Sequence, residues 1–288
     1  LTSLLHLTDF HFWSLLRNPV RMLNKRALGN ANLYARRRHH FPMRSAELFL
    51  EHIESTGIRT LFLGGDFTTT ALDEEFAMAA GWVRQLAREG CTAYAVPGNH
   101  DVYTFEAIRA RRYERYLGEW TPGGGLPSRV DLPGGAPMVF APTVCPNFLS
   151  SRGRIRRGEI ARVRELVAEC ESGTVLVGGH YPVLERGPGF NTPWARRLDG
   201  AAGLRQALGE SGKQVLYLCG HAHKFGYLRD PIYPSLTHLC TGALFLHRKG
   251  TAERGTFSEV HVKEEAVEVF LHRCTDVWTR DRVEPRVI

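Results

Sequence analysis

The sequence predicts an α/β protein with a largely parallel, buried sheet. Three observations carry that expectation. Short runs of apolar and β-branched residues recur at residues 4–8, 60–63, 92–96, 174–177 and 214–219. Between them lie helical patterns, at residues 45–55, 73–88, 105–117, 159–170 and 201–210. Strands that alternate with helices build βαβ units, whose crossover helices cover a parallel sheet. The third observation is that all five strand runs end at a block of Asp, Asn or His residues. In open parallel sheets, ligands gather at the carboxyl ends of the strands.

Each element has its own signals. Ser45 and Asp73 are usable helix caps, and residues 121–137 are rich in Gly and Pro, which predicts a surface loop leading to a strand at 138–141. After Phe225 the pattern changes to strands joined by short turns, at 237–241, 256–261 and 266–272, with Glu264 and Glu265 at a hairpin. These predict a second, more antiparallel sheet packed against the first.

A chain of 288 residues, 43% hydrophobic and 23% charged, suits a single globular domain over 1–288. No apolar run approaches the roughly 18 residues needed to cross a bilayer. The start at Leu1, without Met, leaves room for a lost N-terminal peptide. The six cysteines, Cys91, Cys145, Cys170, Cys219, Cys240 and Cys274, are widely spaced without a C-x-x-C pair, which predicts reduced thiols in a cytoplasmic protein. Cys219 reads as a small core residue.

Charge is concentrated. Of the net charge of +7, Arg17, Arg21, Lys25, Arg26, Arg36, Arg37, Arg38 and Arg44 lie between Phe10 and Ala46 with no acidic residue, so the rest of the chain is close to neutral. Such a segment attracts an anionic ligand or surface.

The blocks themselves are Asp9-Phe10-His11, Gly64-Gly65-Asp66, Gly98-Asn99-His100-Asp101, Gly179-His180 and Gly220-His221-Ala222-His223. If strand geometry continues through Asp9 and His11, residues two apart point the same way and converge on one cation. Asp66 has two carboxylate oxygens, enough to bridge two metals, and follows glycines that permit close backbone approach. Asn99 offers a neutral oxygen, while His100 has a proton-transfer pKa near neutrality. Asp101 is expected to hold the imidazole of His100 through its other nitrogen. His180, His221 and His223 add three imidazoles. Singly these blocks read as turns, caps and core histidines, but the ordered set supplies ligands for two divalent cations and one acid.

In that order the blocks resemble the signature of the calcineurin-like metallophosphoesterases, D-x-H, G-D, G-N-H-[DE], G-H and G-H-x-H. The match runs from Asp9 to His223 with no ligand position missing. The resemblance implies a four-layer αββα sandwich of mixed sheets with two metals at the carboxyl ends of the strands. It implies that Asp9, His11, Asp66 and His223 bind the first metal, and Asp66, Asn99, His180 and His221 the second. A hydroxide between the cations would attack phosphorus in line, with His100 as acid and Asp101 as its support. The oxygen and nitrogen donors suit Mn²⁺, Fe or Zn²⁺, with Mn²⁺ the expectation from family habit.

Residues 12–44 form a basic amphipathic insertion where the family commonly has a short loop. Pro19 can open a helix, with Val20, Leu23 and Ala27 on one face and Arg21 and Lys25 on another. This predicts a lid for a phosphate-rich substrate bearing an apolar group, or peripheral contact with an anionic membrane at the inner face. Some members of the superfamily are UDP-2,3-diacylglucosamine pyrophosphatases, and such a lipid-linked nucleotide is the favoured substrate. A cyclic-nucleotide or other soluble phosphodiesterase, a phosphomonoesterase, and a non-catalytic scaffold on the same fold are the alternatives. Aromatic residues are not interleaved with the basic run, which argues against nucleic acid.

Overall fold

A computed structural model of the chain describes residues 1–15, 40–41, 44–147, 150–187, 190–264 and 266–287. The helix expected from Pro19 and the run Arg36-Arg37-Arg38-His39 lie outside the described residues.

The chain opens with β1 (Thr2–Leu7), α1 (Arg44–Thr56), β2 (Thr60–Leu63), α2 (Asp73–Arg88) and β3 (Thr92–Ala95). Two short helices, α3 (Phe105–Arg109) and α4 (Arg112–Leu117), precede the antiparallel pair β4 (Ser128–Asp131) and β5 (Pro137–Phe140). Then come β6 (Gly153–Arg154), α5 (Arg157–Ala168), β7 (Thr174–Gly178), the small pair β8 (Arg186–Gly187) and β9 (Phe190–Asn191), and β10 (Leu198–Asp199). Next follow α6 (Ala201–Gly209), β11 (Gln214–Cys219), β12 (Gly226–Arg229) and β13 (Leu236–Cys240). The final strands are β14 (Gly255–Val262), β15 (Val267–Cys274), β16 (Trp278–Val283) and β17 (Arg286–Val287).

Two large mixed sheets result, ordered β16-β15-β14-β1-β2-β3 and β17-β12-β13-β11-β7-β5-β4. Side-chain alternation explains how they stack. Leu61 and Leu63 face α1 and α2 with Phe49, Ile53, Phe76 and Val83, whereas Phe62 between them faces the other sheet. Likewise Val175 and Val177 face α5 and α6 with Val163 and Leu204, while Leu176 meets Phe62, Met138 and Leu216 between the sheets. The architecture is therefore the expected four-layer αββα sandwich. Contact between the sheets is close at Gly178, where a Cβ would lie 2.6 Å from Phe62 Cζ and 2.7 Å from Met138 Cε.

The distribution of strands differs from the sequence reading. The block-bearing strands do not share one sheet: β1, β2 and β3 lie in the first, β7 and β11 in the second. Nor do the C-terminal strands form a separate antiparallel sheet. Those over residues 255–283 extend the first, with β14 antiparallel to β1 and Leu4 opposite Val260, while β12, β13 and β17 join the second. The physical reason is that β1 is buried on both faces, Leu4 between the sheets and Leu5 under the helices, so it needs a partner at each edge. β14, itself almost wholly buried, supplies the second.

Local differences also have causes. The single helix expected over 105–117 is broken at Arg111, which has a left-handed φ of 48°. The break lets Arg112 donate Nε to Asp73 at 2.8 Å and both terminal nitrogens to Glu106 at 2.6 Å. β4 occupies part of the expected loop. Asp73 does not cap α2 as expected, because its carboxylate takes Arg112, Arg115 and Tyr116. Instead, the buried carboxylate of Glu75 accepts the N–H groups of Leu72 at 3.2 Å and Thr70 at 2.8 Å. Ser45 lies inside the first turn of α1 and bonds His247 Nε2 at 3.2 Å.

Candidate metal centre

All five blocks lie at one rim, where the carboxyl ends of β1, β2, β3, β7 and β11 meet. Pairing of β1 with β2 continues past both strands: Asp9 N–H donates to Gly65 O at 3.0 Å, His11 N–H to Asp66 O at 2.9 Å and Phe12 N–H to Phe67 O at 2.8 Å. Here the reason given for convergence of Asp9 and His11 is corrected. They are not strand residues. Both are left-handed, with φ of 55° and 52°, and the same holds for Asp66 (57°), His221 (65°) and His223 (53°). Left-handed backbone costs a non-glycine residue roughly 1–2 kcal/mol. Among the described residues seven non-glycine positions adopt it, and five belong to the blocks, so strain is concentrated at this rim. Between Asp9 and His11, Phe10 turns the opposite way and stacks on Phe67, with ring centroids 4.9 Å apart.

The side chains fall into two groups that share one residue. Donor atoms of Asp9, His11, Asp66 and His223 all lie within 4.8 Å of one another, and so do those of Asp66, His180 and His221. In the first group His11 Nε2 is 3.0 Å from His223 Nε2 and 3.7 Å from Asp66 Oδ2. His223 Nε2 is 3.1 Å from Asp9 Oδ1. In the second, Asn99 Oδ1 faces His221 Nδ1 at 2.8 Å and His180 Nε2 at 3.2 Å, and Asp66 Oδ1 lies 3.4 Å from His180 Nε2.

This constellation fits cations. Backbone carbonyls can only accept, so His180 must carry its proton at Nδ1, 2.7 Å from Gly64 O, and His221 at Nε2, 2.9 Å from Arg196 O. His221, neutral, then turns its Nδ1 lone pair toward the Asn99 oxygen, acceptor against acceptor, which a positive ion between them would relieve. Asp9 Oδ1 is buried and accepts no hydrogen bond. Thiolate is not involved: burial, then contact with Cys240, holds the Cys219 thiol well above its ordinary range.

Electrostatics agree with that fit. Burial alone would depress His180, but the carboxylates of Asp66 and Asp9 and the Gly64 carbonyl raise it to about 9. Burial, then repulsion from His180, lowers His221 to about 3. Although burial opposes ionisation of Asp66, the imidazoles of His180, His100 and His11 hold it well below the usual carboxylate range.

His100 is held at the margin of the first group. Its backbone N–H donates to Asp66 Oδ1 at 2.8 Å, and its Nδ1 donates to Thr69 O at 2.6 Å. The ring stacks on Tyr103 and sets its edge against His11, centroids 5.4 and 4.9 Å apart. Nδ1 is thus committed to a backbone carbonyl. The expected role of Asp101 as partner of that imidazole is corrected by the same geometry, since Thr69 O occupies Nδ1. Asp101 accepts instead from the N–H groups of Gly98 at 2.8 Å, Thr68 at 2.9 Å and Phe67 at 3.2 Å, and from the Thr68 hydroxyl at 3.1 Å. It fastens the loop after β3 to the loop after β2. Glycine is required at that junction: a Cβ on Gly98 would lie 2.2 Å from Asp66 Oδ1.

Several contributors carry no sign in the sequence. The carbonyls of Gly64, Thr69 and Arg196 fix imidazole tautomers, and every residue type has a carbonyl. Phe41 lies 4.7 Å from the His11 ring and is held by Trp13 Nε1, which donates to its carbonyl at 2.8 Å. Arg248 donates to the His223 carbonyl at 2.9 Å.

An αββα sandwich with paired Asp and His groups at its rim has the form of a metallophosphoesterase. The family model of calcineurin-like phosphoesterases matches residues 2–225, and the chain belongs to that family. Among solved structures, a dimetal phosphatase from Danio rerio superposes with a TM-score of 0.62 at 11% identity, covering 98% of this chain and 99% of that one. A purple acid phosphatase from yellow lupin (Lupinus luteus) gives a TM-score of 0.57 at 9% identity, covering 98% of this chain and 53% of that one. PhoD gives 0.55 at 9% identity, covering 99% and 72%. At such identities the likeness is one of fold. No curated protein matches the chain by sequence. Among the described residues no helix is long and apolar enough to cross a membrane.

Proposed function

We propose that the protein is a metal-dependent hydrolase of a phosphodiester or pyrophosphate bond. The observation that carries this reading is the membership of Asp66 in both donor groups, which lets one carboxylate serve two ions. Asp9, His11, Asp66 and His223 would hold one divalent cation, and Asp66, Asn99, His180 and His221 the other, with Mn²⁺ the metal we favour over Fe and Zn²⁺. Bound there, such a pair supplies charge for the phosphoryl oxygens and acidifies an attacking water. His100, whose Nδ1 proton is given to the Thr69 carbonyl, would act as the imidazolium and pass its second proton, from Nε2, to the leaving oxygen. Asp101 acts on the reaction only by positioning the loop that carries Asn99 and His100.

For the substrate, our reading is a lipid-linked nucleotide of the UDP-2,3-diacylglucosamine type, met at an anionic membrane surface. Two features support it. Residues 12–44 combine basic and apolar residues without an acidic one, and Phe41, held by Trp13 from the other end of the segment, lies against His11 of the first donor group. A substrate panel with Mn²⁺ tests both levels. Faster hydrolysis of bis-p-nitrophenyl phosphate than of p-nitrophenyl phosphate is expected, with an acylated UDP-sugar faster than its deacylated form. A preference for the monoester would make the protein a phosphomonoesterase. No bound metal and no hydrolysis of any phosphoester would make it a scaffold.

A further inference from the structure

We infer that Trp194, backed by Arg152, is a stacking platform for the nucleobase of a nucleotide substrate; this rests on the phosphoesterase reading above and names a substrate group for the same site. Trp194 begins a short 3-10 turn, Trp194–Arg196. The last residue of that turn places its carbonyl 2.9 Å from His221 Nε2. Two residues of chain span at most about 7 Å, so the backbone of Trp194 lies close to the turn carbonyl that meets His221.

Indole rings in globular proteins are usually well covered, yet Trp194 is 65% exposed. One face is taken: the Arg152 guanidinium lies 4.5 Å from the ring centroid. Among the described residues the carboxylate oxygen paired with that guanidinium is on Asp199, 3.9 Å away and itself largely exposed, so the pair neutralises the cation weakly. A π-face backed by a cation and open to solvent suits a planar heterocycle joined to phosphate.

The turn is held in place before any ligand arrives. Ser151 N–H donates to Ala195 O at 2.9 Å, and Gly153 N–H to Arg197 O at 3.1 Å. Arg197 in turn donates Nε to Thr192 O at 3.0 Å and pairs with Glu185 at 2.8 Å. An aromatic carried on a pre-formed turn binds with less ordering cost than one on a turn that must first be arranged. Stacking discriminates weakly among bases because each has a π-face, so the ligand class is nucleotides rather than one nucleotide.

The test is calorimetric binding of AMP, UMP and ribose 5-phosphate to the full chain in Mn²⁺. The wild type is expected to bind AMP and UMP about ten-fold more tightly than ribose 5-phosphate. Trp194→Ala should abolish that difference and leave ribose 5-phosphate affinity and melting temperature unchanged, while Trp194→Phe keeps most of it. Equal binding of the three ligands to the wild type, or discrimination that survives in Trp194→Ala, would overturn the platform. Hydrolysis of bis-p-nitrophenyl phosphate by the same wild-type preparation reports on the phosphoesterase reading separately. Base discrimination without hydrolysis would retain the platform and reject the reaction.

Discussion

The backbone N–H of His221 donates to Oδ2 of Asp9 across 3.0 Å, joining residues 212 positions apart. That bond satisfies one oxygen of Asp9 and leaves Oδ1 for a cation. Metal stoichiometry should follow this division. Asp9→Asn is expected to lose one of two bound metals, whereas Asp66→Asn, altering the shared carboxylate, loses both. Elemental analysis after dialysis checks this, and two retained metals in Asp66→Asn would remove Asp66 from the centre.

His100→Ala should slow turnover by about 10²- to 10⁴-fold, the usual contribution of a general acid. Both metals should stay bound, because the backbone N–H that meets Asp66 survives the substitution. Loss of metal in this variant would show that the ring is structural.

Asp101→Ala leaves the N–H groups of Gly98, Thr68 and Phe67 buried without their acceptor. Each such group costs about 1–3 kcal/mol, so a destabilisation of several kcal/mol is expected in urea unfolding. A change below about 0.5 kcal/mol would mean that the two loops hold together without it.

Stability should fall as pH rises from about 4.5 to 7. Burial, opposed by hydrogen bonds from Thr70, Leu72 and Ser14, pushes the Glu75 carboxyl up to about 7 from an ordinary 4.5. The folded protein therefore binds this proton more tightly than the unfolded chain. The resulting stabilisation is present below the unfolded pKa and is lost as pH rises through the folded one. At 1.36 kcal/mol per pKa unit the difference is on the order of 3 kcal/mol. Urea unfolding across this range should show the loss, and Glu75→Gln should flatten it; an unchanged slope in the variant would assign the effect elsewhere.

Gly178→Ala should destabilise by about 1–3 kcal/mol through overpacking. Its new methyl group would meet Phe62 Cζ, so Phe62→Leu should recover part of the loss. Additivity in a double-mutant cycle would show that the two do not share space.

What could be read from the sequence was chiefly local. Residues 73–88 and 214–219 form their elements at the expected bounds, because apolar periodicity there agrees with tertiary packing. The seven residues Asp9, His11, Asp66, Asn99, His180, His221 and His223 come together because each block ends a strand whose carboxyl end lies at one rim. What could not be read was non-local. The role of Asp101 depends on how its loop folds against Phe67 and Thr68, and identity alone does not tell a carboxylate that orients an imidazole from one that fastens a loop. The left-handed turns at Asp9 and His11 run against residue preference and are maintained by pairing with the Asp66 loop. The sheet that receives β14 is decided by the vacancy beside β1, some 250 residues earlier in the chain.

That last pairing bears on how the protein is made. β1 leaves the ribosome well before β14, with its edge toward β14 bare until residues 255–262 have been synthesised. An exposed edge of a strand apolar on both faces is open to pairing with another chain. The nascent protein thus carries that bare edge through the synthesis of about 250 residues. β14 then closes it. The strand that protects against misassembly is therefore one that contributes no side chain to the candidate metal centre.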